Sequence, residues 1–271
     1  MNTIVFAIPS HDRHDRIVTH TLHMLEKYAV PQSAIHVFVT PGQEGRYTHS
    51  IHKTMPHVHV HRGKRGLKHQ RNYIASYFPI GTCVVNIDDD VKNIMVLQPG
   101  GTLSPLGTSF MRWCHEMFAI MNKYKVTLGG VGAVKNPYFM KNTITFDLRF
   151  VVGAFWMCVA TRDPPTITMD EKEDVERTIK HYLRDGCVMR NNACAVDTQY
   201  FQSSSRSSTS GGMQSARTDR AAAAKKSAEL LAARYPDLGR VETKKSGWVE
   251  FRLKRVAKKH SDIRPRTKTV G

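Results

Sequence analysis

The sequence predicts an α/β protein: a mixed, mostly parallel sheet flanked by helices, with a basic C-terminal extension. Three observations carry this. From Thr3 to Ile87, short apolar β-rich runs alternate with helical patterns in the order strand, helix, strand, strand, helix, strand, which is how parallel sheets are built. The 271 residues are 41% hydrophobic and 8% aromatic, enough for a sizeable core. The charge is lopsided: of a formal net charge of +17, the stretch from Phe201 onward supplies +11, with 17 Lys and Arg against 6 Asp and Glu. Such a basic excess points to a polyanionic partner, nucleic acid foremost.

Taken in order, Thr3–Ser10 (TIVFAIPS) reads as a buried first strand ending in a polar turn. Arg16–Val30 sets Ile17, Leu22, Leu25 and Tyr28 near a helical period. Ala34–Thr40 is a second strand, closed by Pro41-Gly42. Strict alternation in His57–Arg62 (HVHVHR) puts Val58 and Val60 on one face and His57, His59 and His61 on the other. Those histidines stand too far apart along one strand to share a tetrahedral zinc, and they read as a solvated face. Lys68–Phe78 is a helix stopped by Pro79 and Gly81, and Thr82–Ile87 is the next strand. A loop over Pro99–Gly107 leads to an apolar helix, Phe110–Tyr124.

Val126–Val134 and Val151–Thr161 are strands, the second long enough to be central. Thr168–Gly186 carries the clearest helical pattern. Acids fill its first turns, Val175, Ile179, Tyr182 and Leu183 form a stripe, and Gly186 closes it. Gln202–Thr218 is low in complexity and expected to be mobile. Ala221–Pro236 is a helix with Leu230, Leu231 and Tyr235 as its packing face, and Trp248, Phe251 and Leu253 mark a last strand. The expected organisation is a catalytic domain over 1–202, a Ser/Gly-rich loop over 203–215, a completing helix and strand over 216–256, and a basic tail over 257–271.

No run of about 18 apolar residues is present to span a membrane, and the N-terminus lacks a signal-peptide pattern. The five cysteines (Cys83, Cys114, Cys158, Cys187, Cys194) are odd in number and scattered. They read as buried free thiols of a cytoplasmic protein.

The chemistry is expected at "CVVNIDDDV", Cys83–Val91, where Asp88, Asp89 and Asp90 follow an apolar strand. Ligands of parallel sheets bind beyond the carboxyl ends of strands. Mg²⁺ or Mn²⁺ prefers hard oxygen ligands and needs only one or two protein carboxylates when substrate phosphates complete its shell. A third carboxylate is then free to take a ribose or sugar hydroxyl.

The lead-in sharpens this reading. "RGLKHQRNYIASYFPIGTCVVNIDDDV" resembles the stretch of GT-A glycosyltransferases that runs Arg-Gly, Ala/Arg-Asn, helix, apolar strand, Asp-x-Asp. Arg65, Gly66, Arg71 and Asn72 match its first part, and Asp88 and Asp90 its last. The resemblance implies a nucleotide-sugar donor, UDP-linked, held by Mn²⁺ or Mg²⁺ on Asp88 and Asp90. Arg65, Gly66, Arg71, Asn72, Asp88 and Asp89 would contact that donor, with Pro9, Ser10 and Arg13 from the first strand end.

The second acidic centre, Glu173-Asp174 in "DEKEDVERTI", matches the Glu-Asp at a helix start with which inverting members of that family deprotonate an acceptor. Asp174 is the expected base, with Glu173 next. His181, two helical turns beyond Asp174, is a candidate third metal ligand, although ordinary helix surface explains it as well.

The later order, from Glu173-Asp174 through Gly186, Arg190-Asn191 and Gly211-Gly212 to Arg217, resembles the TET-associated glycosyltransferases of phages and related elements. That resemblance implies hydroxymethylated pyrimidines in DNA as acceptors. Arg190, Arg206, Arg217, Arg220, Lys225, Lys244 and Lys245 are candidate phosphate contacts. A base hydroxymethyl group faces the major groove, so transfer would call for base flipping or an inserted loop. Two rival classes stand beside this reading. One is the same chemistry on a protein or glycan; the other is a metal-dependent nuclease, nucleotidyltransferase or non-enzymatic nucleic-acid binder.

Overall fold

The structure, a computed structural model, describes residues 3–198 and 220–254. Its first strand, β1 (Ile4–Ser10), is buried throughout: Ile4, Phe6 and Ile8 enter the core on one face, Val5 and Ala7 on the other. The expected first helix is interrupted. It runs as α1 (His14–Ile17), a π-helical turn (Val18–Leu22) and α2 (His23–Lys27), and it ends before Ala29, whose φ is 56°. Next come β2 (Ile35–Val39), α3 (Glu44–His52), β3 (His59–Arg62), α4 (Leu67–Ala75) and β4 (Cys83–Ile87). A hairpin of β5 (Val91–Leu97) and β6 (Leu103–Pro105) precedes α5 (Phe110–Tyr124). The chain continues through β7 (Leu128–Gly132), β8 (Ile144–Asp147), β9 (Phe155–Val159), α6 (Glu173–Asp185) and β10 (Val188–Thr198). It closes with α7 (Arg220–Arg234), β11 (Gly239–Thr243) and β12 (Val249–Leu253).

Ten strands form one mixed sheet in the order β3-β2-β1-β4-β9-β7-β10-β5-β6, with β8 also on β10. β1, β2, β3 and β4 are mutually parallel, and β7 and β10 are parallel to each other. β9 lies antiparallel between β4 and β7 and is central, as its apolar run suggests. One face is covered by α1, α2, α3 and α5, the other by α4 and α6. A second hairpin, β11-β12, packs with α7 on the outer side of α6 through Val175, Ile179, Leu231 and Phe251.

Several elements escaped the sequence pattern. α3 buries only Tyr47 and Ile51 on an otherwise polar helix. β10 is the longest strand, yet it carries Asn191 and Asn192 inside the sheet. The Asn192 amide is bonded by Thr143 and Thr145, which satisfies a buried group that would otherwise be costly. Leu183 and Leu230, expected in packing stripes, point outward. The histidines of β3 are not simply solvated. His36 of β2 stacks against both His59 and His61, and its pKa falls to about 4 through burial and the two neighbouring imidazoles. All five cysteines are buried and none forms a disulfide, and no described helix is long and apolar enough to cross a membrane.

Candidate active site

β4 ends against β1, and the chain turns through Asp88, Asp89 and Asp90 before β5. Thr21, fully buried in the π-helical turn, clamps that turn. Its hydroxyl donates to the Asp88 carbonyl at 2.7 Å and accepts the Val91 N–H at 3.0 Å. The chain turns at Asp89 and Asp90, and the three aspartates take different surroundings. Asp89 is 5% exposed and turns inward, accepting from Ser10 Oγ at 2.5 Å and Arg13 Nη1 at 2.8 Å. Asp88 and Asp90 stay part-exposed. Asp90 accepts from Thr198 Oγ1 at 2.8 Å and lies 3.3 Å from Arg13. Burial raises the Asp89 pKa to about 6 against the pull of Arg13.

Arg71 joins this turn to the second acidic centre. It is 2% exposed, and its Nη2 donates to Asp88 Oδ1 at 2.5 Å and to the Gly153 carbonyl at 3.0 Å. Its Nε lies 3.7 Å from Glu173 Oε1. Glu173, 5% exposed, is held on its other oxygen by Arg177 Nη1 at 2.7 Å. Arg177 in turn sits over the Trp156 ring, 4.1 Å from its centroid. The result is a buried chain of alternating charge, Asp88–Arg71–Glu173–Arg177, running from the strand end to the first turn of α6.

Asp174 stands apart from that chain. It is half-buried and is held by backbone donors, the Gly153 N–H at 3.3 Å and the Val175 N–H at 2.9 Å. Burial raises its pKa above the usual aspartate range, and the Arg177 charge opposes the rise. Gly153 is fitted closely to both acids. A Cβ there would meet Glu173 Oε1 at 3.1 Å and Asp174 at 3.4 Å, so the glycine permits the approach.

Other residues anticipated from sequence fall into three groups. Gly66 caps α4 at φ 87°, which accounts for a glycine there, while Arg65 is exposed beside it. Asn72 is occupied by the backbone of Ile167, donating to its carbonyl and accepting its N–H, both at 2.8 Å. Pro9 and Ser10 are buried in β1, and Arg13 is the part-exposed cation in contact with Asp89 and Asp90.

His181 does not join the aspartates. It is bonded to Thr127 and Arg184 at 3.0 Å. Thr127 lies level with Val159 and so with the start of β4, about 16 Å along the sheet from Asp88 at 3.3 Å per residue. Burial and the nearby arginines hold its pKa well below normal, a setting hostile to another cation. Among the described residues, no three His, Cys, Asp or Glu side chains converge as a metal-binding group.

Of the DNA-contact candidates, Arg190 is tied to Asn192 and the Phe150 carbonyl inside the fold. Lys225 and Lys244 pair with Glu229 and Glu250, and Lys245 is exposed. Arg206 and Arg217 lie outside the described residues, as does the Ser/Gly-rich loop, and Arg220 begins α7.

Sequence reading missed Thr21, Thr198, Gly153 and Arg177. Only Arg177 left a signal, its i,i+4 spacing from Glu173.

Among solved structures, the chain is similar to S. aureus TarS 1–349 in complex with UDP-GlcNAc. The TM-score is 0.53 at 12% identity, over 85% of this chain and 66% of that one. The fold is GT-A-like. A second structure of S. aureus TarS 1–349 gives 13% identity and a TM-score of 0.49, over 72% of this chain and 59% of that one. Mannose-1-phosphate geranyltransferase from Thermus thermophilus gives 12% and 0.31, over 73% and 58%. The chain thus spans about three fifths to two thirds of the structures that it matches. No protein-family model matches it, and no curated protein matches it by sequence. In this GT-A-like sheet both acidic centres lie at one end, beyond the carboxyl end of β4 and before the start of β9.

Proposed function

We propose that this protein is a glycosyltransferase that moves a sugar from a UDP-sugar to the hydroxyl of a hydroxymethylated pyrimidine in DNA. The observation that carries the sugar-transfer reading is the buried Asp88–Arg71–Glu173–Arg177 chain, which fixes two acidic centres together at one end of a GT-A-like sheet. The bound UDP-GlcNAc of the TarS complex supports the donor class.

Asp88 and Asp90 suit a hard divalent cation. Both carboxylates are part-exposed oxygen donors, and burial together with the nearby Asp90 raises the Asp88 pKa against the pull of Arg71, a strain that a cation would relieve. Mn²⁺ or Mg²⁺ held there would supply positive charge to the leaving diphosphate. Arg13, in contact with Asp89 and Asp90, is the protein cation placed to assist.

Asp174 is the base. Glu173 has each oxygen committed to an arginine, whereas Asp174 is held only by weaker backbone donors and keeps access to solvent. The acceptor O–H gives its proton to Asp174 while its oxygen bonds the anomeric carbon. The bond from that carbon to the diphosphate oxygen breaks, and UDP leaves with the electron pair. The net charge of +17 supports a DNA acceptor, because Lys and Arg that neutralise phosphates give sequence-independent affinity.

The test is mass spectrometry of DNA carrying 5-hydroxymethylcytosine, 5-hydroxymethyluracil or neither base. Each is incubated with Mn²⁺ and UDP-glucose, UDP-N-acetylglucosamine or UDP-galactose. A mass gain of one hexose or one N-acetylhexosamine, matching the donor, on a hydroxymethylated base that disappears in Asp90→Ala is the expected result. Transfer to a protein or glycan with none to DNA would leave the chemistry and overturn the acceptor. Absence of binding to any UDP-sugar by calorimetry would overturn the glycosyltransferase reading.

A further inference from the structure

We infer that the loop between β7 and β8 is an acceptor platform on which nucleobases of an unpaired polynucleotide strand stack against Tyr138 and Phe139. This rests on the nucleic-acid reading of the acceptor given above.

The two rings are the most exposed aromatics of the described chain, Tyr138 at 85% and Phe139 at 66%, and Val134, four residues before Tyr138, is 53% exposed. Contiguous exposed apolar surface on a loop marks an interaction site more often than an isolated residue does. This surface is also held in place. Pro137–Phe139 form a 3₁₀ turn, and the Asn136 side chain accepts the Tyr138 N–H at 3.0 Å. The Phe139 N–H bonds the Asn136 carbonyl at 3.0 Å, and buried Met140 follows with its N–H on Pro137 at 3.1 Å. The Lys141 N–H then docks on the Asn192 carbonyl of β10 at 3.1 Å. The rings pack edge to face with centroids 4.9 Å apart. A rigid aromatic pair loses little conformational entropy when it binds.

Charge and position select the partner. Residues 133–143 contain Lys135 and Lys141, both exposed, and no Asp or Glu. Lys135 shares its charge with Asp197, and Lys141, two residues after Phe139, leaves the loop positive, which suits a strand whose bases stack while its phosphates are neutralised. A glycan would instead ask for free carboxylates to hold its hydroxyls; residues 133–143 have none, and the neighbouring Asp197 is taken by Lys135. The platform is pinned to the candidate active site. The Lys135 ammonium contacts Asp197, and the adjacent Thr198 hydroxyl donates to Asp90 at 2.8 Å. A strand lying on the loop therefore passes beside the aspartates, where one base of it is presented for transfer.

The experiment uses the full chain and fluorescence anisotropy with a labelled oligothymidylate, at about 50 and about 300 mM salt. The Tyr138→Ala/Phe139→Ala variant is expected to bind about 10- to 100-fold more weakly than wild type by the same factor at both salts, because stacking does not depend on counterion release. Tyr138→Trp/Phe139→Trp should restore binding, which a fold defect would not allow. Equal binding by the alanine variant would overturn the platform and leave the nucleic-acid reading standing. Failure of the wild type to bind the oligonucleotide would overturn that reading and the platform with it. Binding of a labelled chitooligosaccharide that is lost in the alanine variant would assign the loop to a glycan and overturn the inference.

Discussion

At the end of β4 the chain leaves the strand at Asp88 and turns through Asp89 and Asp90, which buries Asp89 and leaves Asp88 and Asp90 part-exposed. At the start of α6 the backbone is helical, and adjacent Glu173 and Asp174 diverge by about 100°. Both centres therefore pair a buried carboxylate with part-exposed ones. Arg13 neutralises Asp89, and Arg71 and Arg177 neutralise Glu173. In each, the buried acid fixes geometry and the part-exposed acids remain available to a ligand. They differ in what holds the free acid. Asp90 is held by side chains from distant elements, Asp174 by neighbouring backbone. Crowded acids are thus divided between burial and exposure by where the chain turns and by which cations pack against them.

The strongest way to break this comparison is to exchange the roles within α6. Asp174→Asn should lower transfer about 10²- to 10⁴-fold with the fold intact. On the proposed role, in which Asp174 works ionised, the wild-type rate should fall with decreasing pH through a pKa above the ordinary aspartate range, because burial raises it. A pH–rate profile and a thermal melt of both proteins check this. If Glu173→Gln gave that loss while melting normally, the two acids would have to trade assignments.

Next in size is Arg71→Ala, which removes the link between the centres. It should cost about 3–5 kcal/mol in urea unfolding, because buried Glu173 loses one of its two cations and Asp88 loses its partner. An effect under about 1 kcal/mol would mean that the centres are held independently.

Asp89 gives a smaller, pH-dependent contrast. Its pKa of about 6 lies above the ordinary 3.8, so the folded state holds its proton more tightly. That contribution to stability is present below about pH 4 and is lost as pH rises through about 6. Asp89→Asn lacks the loss. Between about pH 4 and about pH 7 its stability relative to wild type should improve by up to about 3 kcal/mol. Denaturation curves of both proteins at the two pH values test the sign.

The smallest expectation concerns the helix stripe. Leu183→Gln should change stability by less than about 0.5 kcal/mol, because the side chain lies on the surface.

Leu183 also shows where sequence and structure part. The pattern Val175, Ile179, Tyr182, Leu183 located α6 but not its buried arc, because α7 and β12 cover one side of the helix and leave Leu183 in water. The aspartates were legible because three like charges after an apolar strand demand a reason. The Arg71 bridge was not: a one-dimensional pattern gives the arginine as a donor contact, and only folding α4 against Gly153 and α6 shows it spanning two acids. β10 was hidden because its asparagines contradict strand propensity until Thr143 and Thr145 satisfy them.

By itself the sequence determined the α/β class, most of the N-terminal strands, and the location of both acidic centres. These follow from hydrophobic periodicity and from charge, which are local properties of the chain. The tertiary structure decided which acid of each centre is buried, which arginine links them, and that His181 stands at the far end of the sheet. Those depend on which elements pack together, and burial and pairing of a charge are set by neighbours distant in sequence.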